Sequence, residues 1–254
     1  MLLRCLLPLA LLPLAAVASA ACTLTDPTLT LQSYRVDAQK ERIAMYWQDR
    51  HGKAWGSLRS LLAGIDGDGR VQMAMNGGIY DKAYAPLGLY IEDGKRLTPV
   101  NRSAGGGNFF IRPGGVFLVE NGRAKIVPLP AYKPSPAIRY AVQSGPMLIE
   151  NGAINWRLKP SASSRKLRNG VGIDKQGRVG VYAQRSRDQL LRFCLLCAVK
   201  AWRAADALSR RHPVEDVPQR RQRAVAVSSV RDHDNGGEKI AGAFGGGHSS
   251  QESE

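Results

Sequence analysis

The chain has 254 residues, 44% of them hydrophobic and 22% charged, which excludes bulk disorder and coiled coil and suffices for one large domain or two small ones. Lysine and arginine number 36 against 21 aspartate and glutamate, a net of +15. Negatively charged partners are therefore favoured, without the kind of anion being specified.

Residues 1–20 read as a signal peptide. Arg4 precedes an apolar run from Cys5 to Val17 that ends in Ala18-Ser19-Ala20, a pattern suited to cleavage before Ala21. The run is too short to span a bilayer comfortably and no other long apolar run follows. The mature chain is expected to be exported, periplasmic or secreted, with no transmembrane segment. A lipoprotein reading with Cys22 acylated is disfavoured by Ser19, which stands where an aliphatic residue is usual. Export also argues against nucleic acid as the partner of the basic charge.

Ser33–Val36 and Arg42–Trp47 alternate apolar and polar positions and predict two half-buried strands. Leu58, Leu61, Leu62 and Ile65 then recur at helical spacing, with Ser57 placed to accept the first free amides, so one short helix is expected. An apolar run from Val71 to Met75 reads as a buried strand ending at Asn76. From there a phrase repeats: a β-rich stretch running into Asp93-Gly94, into Asn121-Gly122 and into Asn151-Gly152, each pair tolerating the positive φ of a tight hairpin turn. A looser fourth version runs from Gly170 to Tyr182. The expected fold is α+β, mainly antiparallel sheet built from repeated hairpins with few peripheral helices.

Between the hairpins lie glycine-rich or basic segments, where a backbone approaches a ligand closely or simply turns. Asn76-Gly77-Gly78 follows the buried strand, Asn108 follows three glycines, and Gln143-Ser144 is expected just before a strand. Arg165, Arg168 and Asn169 close a Ser-rich loop with no acidic neighbour in sequence. Arginines fit phosphate or carboxylate oxygens bidentately, so this loop is either an anion site or a solvated basic surface. Cys194 and Cys197 form a Cys-x-x-Cys pair, but no histidine or second pair completes a zinc set and no βαβ context supports redox use. No metal site is expected, and no cofactor is legible.

Taken in order, Asn76-Gly77-Gly78, Pro86-Leu87-Gly88, Gly107-Asn108-Phe109-Phe110, Gln143-Ser144-Gly145-Pro146 and the run from Arg165 to Gly172 resemble the phosphodiester glycosidase family. The resemblance covers about residues 33 to 184. It implies an exported hydrolase that cleaves a sugar joined through its anomeric carbon to a phosphodiester. Arg165 and Arg168 would then hold the phosphate, while Asn76, Asn108, Gln143 and Ser144 would serve the sugar, alongside Gly77, Gly78 and Asn169. Glycoside hydrolysis usually employs two carboxyl groups, yet no obvious pair is present, Asp81, Glu92 and Asp93 being nearest in sequence. A phosphate leaving group relaxes the need for an acid, but a base for water is still expected.

The family pattern continues with a helical segment and a strand ending in Leu-Asp-Gly, whose aspartate the resemblance marks as functional. Neither is written here. Residues 21–185 are therefore read as a truncated glycosidase-like domain and 186–254 as an aberrant, frameshifted tail without a convincing partner strand. In a +1 shifted frame, codons compatible with Gln189–Cys197 can read Ser-Phe-Tyr-Asp-Phe-Ala-Tyr-Phe, and codons compatible with Leu208–Gln219 can read Tyr-Leu-Asp-Gly-Thr. The alternative is a genuine divergent tail. Two functions follow from different classes: a phosphodiester glycosidase, inactive as written if the missing segment is essential, or a non-catalytic periplasmic binder of anionic glycans.

Overall fold

The structure, a computed structural model, describes residues 31–65, 71–184 and 187–198, together with the backbone of 224–228. The expected leader, Cys22 and most of the tail lie outside the described residues. The expected mainly antiparallel α+β architecture is what the chain adopts. Strands β1 (Leu31–Val36), β2 (Arg42–Tyr46) and β3 (Val71–Asn76) come first, with helix α1 (Leu58–Ile65) between the last two. Ser57 caps that helix, its Oγ accepting the Ser60 amide at 3.0 Å.

The four hairpins follow. β4 (Tyr90–Glu92) and β5 (Lys95–Thr98) turn at Asp93 and Gly94, β6 (Gly115–Glu120) and β7 (Arg123–Pro128) at Asn121 and Gly122. After β8 (Ile138–Ser144), the short β9 (Ile149–Glu150) and β10 (Ala153–Ile154) turn at Asn151 and Gly152. All six turn residues have positive φ, between 49° and 81°, the backbone that selects Asx-Gly at a two-residue hairpin. The fourth pair is β11 (Asn169–Ile173) and β12 (Val179–Gln184).

These strands assemble into a five-stranded sheet ordered β5-β4-β8-β6-β7, and a three-stranded one ordered β1-β12-β11, all antiparallel. Val36, Ile43, Met45, Met73, Met75, Tyr90, Phe117, Tyr140, Val142 and Val181 come from three sheets and share one apolar core. A second cluster around Leu89, Val116, Leu118 and Ala141 lies under the other face of the large sheet, so its strands are buried on both sides. That is why Gly115–Val119 reads as a continuous apolar run rather than an alternation.

Two expectations are corrected. Gln143 and Ser144 do not precede a strand; they are the last residues of β8, paired with Val116 and Gly115 of β6. The tail was expected to supply no strand, yet Ala224–Ser228 forms β13, running parallel to both β2 and β3 between them. Nor does packing stop at residue 185. Asp188 is 1% exposed, and Phe193 and Cys194, in a helix over 190–198, are fully buried. The Phe193 ring lies 3.2 Å from where a Cβ on Gly170 would stand, which is close packing onto β11 that a larger residue would oppose.

At the end of β4, Glu92 is half-buried and accepts the Trp47 amide on Oε2 at 3.1 Å. Burial pushes its carboxyl above the usual carboxylate range, and the amide offsets this only in part. The folded state thus holds the proton to higher pH than the unfolded chain does. Glu92 therefore favours the fold fully below its unfolded pKa, and that contribution is lost as pH rises through the raised folded value. Glu92→Gln is expected to flatten this fall, seen as a smaller drop in urea midpoint between about pH 4 and 7.

Candidate functional site

A cavity of about 1340 Å³ opens where the ends of β3, β8 and β11 converge. Asn76, Gly77, Gly78, Asn108, Ser144, Arg168 and Asn169 all line it. Asn76 is 4% exposed at the C-terminal end of its strand, where the sheet stops and the chain turns away through two glycines. Asn169, the first residue of β11, donates from Nδ2 to the Asn76 backbone carbonyl at 3.3 Å and, more closely, to Asn76 Oδ1. This one side chain thus joins two sheets and fixes the amide planes at the cleft floor. Asn108, in the 3-10 turn Asn108–Phe110, is exposed, while its neighbour Phe109 anchors that turn in the interior.

The cleft is electropositive. Arg35, Lys125, Lys166, Arg168 and Arg187 line it, against Glu150 and Asp174. Asp174 is committed to the β11–β12 turn, accepting Arg178 Nε at 2.8 Å and the Arg178 and Gln176 amides. Glu150, in the turn-flanking strand β9, is a carboxylate that sequence reasoning missed, its Glu-Asn-Gly setting suggesting only a hairpin.

Two of the sequence-chosen residues stand elsewhere. Gln143 does not line the cavity. Its side chain is buried behind the cleft, Oε1 accepting the Leu89 and Asn101 amides at 3.1 and 2.9 Å while Nε2 donates to the Asn101 carbonyl at 2.6 Å. It pins the loop between β3 and β4 to β8, and Gly88 is glycine because a Cβ there would run into that amide. Arg165 is likewise outside the lining. It pairs with Asp188 (Nη1 to Oδ1, 3.2 Å), which also holds Arg192 at 3.2 Å. The expectation that both loop arginines lack an acidic neighbour is corrected, because the partner lies 23 residues downstream.

Arg168 is buried and reaches the cleft, with Nε donating to the Asp188 carbonyl and Nη2 to the Ser164 carbonyl, both at 3.3 Å. Backbone bonds between Lys166 and Asp188, 3.1 Å in each direction, hold the loop in place. None of the three carboxylates nearest in sequence lines the cavity. Asp81 accepts the Ala83 and Ala85 amides, Glu92 that of Trp47, and Asp93 pairs with Arg139 at 2.5 Å. Cys194 and Cys197 are free thiols. Burial pushes Cys194 up to about 11 and Cys197 higher still, which suppresses the thiolates that nucleophilic or metal chemistry needs. Among the described residues no group of histidine, cysteine or carboxylate side chains has the geometry of a metal site.

The described residues thus enclose a basic, amide-floored cleft at converging strand ends. The chain belongs to the phosphodiester glycosidase family, whose profile matches residues 69–189. It is 60% identical over 174 residues to the Uncharacterized protein YigE of Escherichia coli (strain K12), a match covering 68% of each chain. Among solved structures it is similar to the zebrafish N-acetylglucosamine-1-phosphodiester alpha-N-acetylglucosaminidase catalytic domain auto-inhibited by pro-peptide. That similarity has a TM-score of 0.48 and 14% identity, over 70% of this chain and 69% of the other.

Because Gln143 satisfies two backbone amides inside the fold, Gln143→Leu is expected to act on stability. Orphaning those donors should cost about 3 kcal/mol, at roughly 1–3 kcal/mol for each. Urea denaturation reads the loss, and an unchanged midpoint would show that the loop does not depend on this side chain.

Proposed function

We propose that this protein is an exported glycosidase that hydrolyses a sugar-1-phosphodiester, giving a reducing sugar and a phosphate monoester. The supporting observation is the basic cleft around Arg168 and the Asn76–Asn169 pair, in a chain of this family. The cations attract the diester, and the two amides offer donors and acceptors to sugar hydroxyls. Water attacks the anomeric carbon and the C–O bond breaks toward the phosphate. Arg168 and Lys166 stabilise the charge that builds on the leaving oxygen. A phosphate monoester leaves readily without a general acid, so a single base suffices, and Glu150 is the candidate.

The family resemblance also implies an aspartate at the end of a strand next to this site. The written chain has Ser228 there, in register with Asn76 and Tyr46. If that aspartate is essential, the written protein binds its ligand and turns it over poorly. The frameshift reading of the tail remains a proposal resting on codon arithmetic, and β13 counts against the idea that the tail lies outside the fold. Coding DNA decides it, since codons incompatible with the shifted reading make the tail genuine.

Incubation with a synthetic hexose-1-phosphate methyl diester in heavy-oxygen water tests the function. Label should appear in the sugar, and Glu150→Gln should lower kcat about a hundredfold, the usual worth of a general base. Label in the phosphate would mean P–O cleavage by a different kind of enzyme. Tight binding without turnover would favour the non-catalytic glycan binder.

A further inference from the structure

Among the described residues the exposed large hydrophobic side chains are Ile149, Ile154 and Trp156, at 37%, 40% and 69% exposure. All three fall on one hairpin and the turn that follows it. Ile149 and Ile154 face each other as cross-strand partners of β9 and β10, so their side chains form a single apolar ridge. Trp156 is not on a loose end. Asn155 before it is buried and donates from Nδ2 to the Met147 and Arg112 carbonyls, at 2.9 and 3.2 Å, while its Oδ1 accepts the Arg157 amide at 3.0 Å. Leu158 after it is buried as well. A rigid turn therefore holds the indole out in solvent, where an apolar side chain of that size gains nothing unless something covers it.

The charges around the indole indicate the cover. The Arg157 guanidinium lies 4.4 Å from the ring centroid and the Lys159 ammonium 5.4 Å. A sugar stacks on an open aromatic face, whereas these cations crowd the ring. Tryptophan and isoleucine flanked by lysine and arginine is instead the chemistry of the boundary between anionic headgroups and acyl chains. The same hairpin forms one wall of the cleft, since Met147, Leu148, Ile149, Glu150 and Asn151 line it.

We propose that the β9–β10 hairpin and Trp156 dock the protein on an anionic lipid surface. The cleft mouth is thereby brought to the bilayer, so that the preferred substrate is a sugar-1-phosphodiester whose other arm is a lipid. The docking surface stands on the exposed ridge and its cations alone; the substrate class rests on the glycosidase reading. Charge complementarity supports the choice of lipid, because the chain carries a net +15, Arg157 and Lys159 flank the indole, and the cleft that the hairpin walls is lined by more cations than carboxylates.

The full chain is sedimented with vesicles of phosphatidylglycerol and phosphatidylcholine in equal parts, and with vesicles of phosphatidylcholine alone. Binding is expected to the mixed vesicles, with a blue shift in tryptophan emission. It should be about tenfold weaker for Trp156→Ala and for the double variant Ile149→Ser with Ile154→Ser, and weaker again at high salt. Unchanged melting temperatures confirm that these exposed positions leave the fold intact. Equal binding by wild type and Trp156→Ala overturns the proposal, as does equal binding to both vesicle types. Quenching of Trp156 by a soluble neutral polysaccharide, with no vesicle binding, also overturns it and assigns the ridge to glycan stacking. Hydrolysis of the soluble methyl diester should be the same in wild type and Trp156→Ala. Its absence in both would sink the glycosidase reading while leaving the lipid result standing.

Discussion

The amide of Asn169 donates across a sheet boundary to Asn76, and the geometry of the cleft follows from that bond. Asn76 ends a strand of the sheet that contains β2, while Asn169 opens a strand of the sheet that contains β1. A buried amide left without partners costs more than most single contacts contribute, so each asparagine fixes the orientation of the other. Arg168 immediately precedes one of them and Gly77-Gly78 immediately follows the other. The basic loop and the glycine turn are thereby held together at one cavity, which both line.

Electrostatics sorts the arginines into different tasks. Asp188 is almost fully buried and receives Arg165 and Arg192, so those cations neutralise an internal carboxylate and lock residues 187–198 against the domain. Arg168 donates from Nε and Nη2 to the Asp188 and Ser164 carbonyl oxygens, which orient its guanidinium at the cleft. Arg168 rather than Arg165 is therefore the arginine of the Ser-rich loop that lines the cleft, together with Lys166 and Arg187. Glu150 lines the same cleft, from the first strand of the β9–β10 hairpin.

Much of the fold was legible because its signals are local. Asp93-Gly94, Asn121-Gly122 and Asn151-Gly152 announce their hairpins within two residues, since only a few residue types tolerate positive φ in succession. Ser57 and the spacing of Leu58, Leu61 and Ile65 announce the helix in the same way. What escaped the sequence is long-range. Gln143 looks like a ligand-facing amide until Leu89 and Asn101, 54 and 42 residues away, are seen to occupy it. Arg165 looks unneutralised until Asp188 arrives from beyond the loop. β13 was invisible because a parallel strand needs no turn signal beside its partners, and because a five-residue apolar stretch in an Arg-rich tail has no period to mark it. The exposed indole of Trp156 carries no sequence signal either, since only the buried Asn155 and Leu158 on its two sides force it outward.

Coupling between Asn76 and Asn169 is the measurement on which the account turns. A double-mutant cycle built from Asn76→Ala, Asn169→Ala and the pair, read by urea denaturation, isolates their mutual dependence. Strong non-additivity is predicted, an interaction of about 1–3 kcal/mol, with affinity for hexose 1-phosphate lost in each single variant and no further in the double. Additive losses, or a double variant that still binds the sugar phosphate, would contradict a cleft organised around this bond.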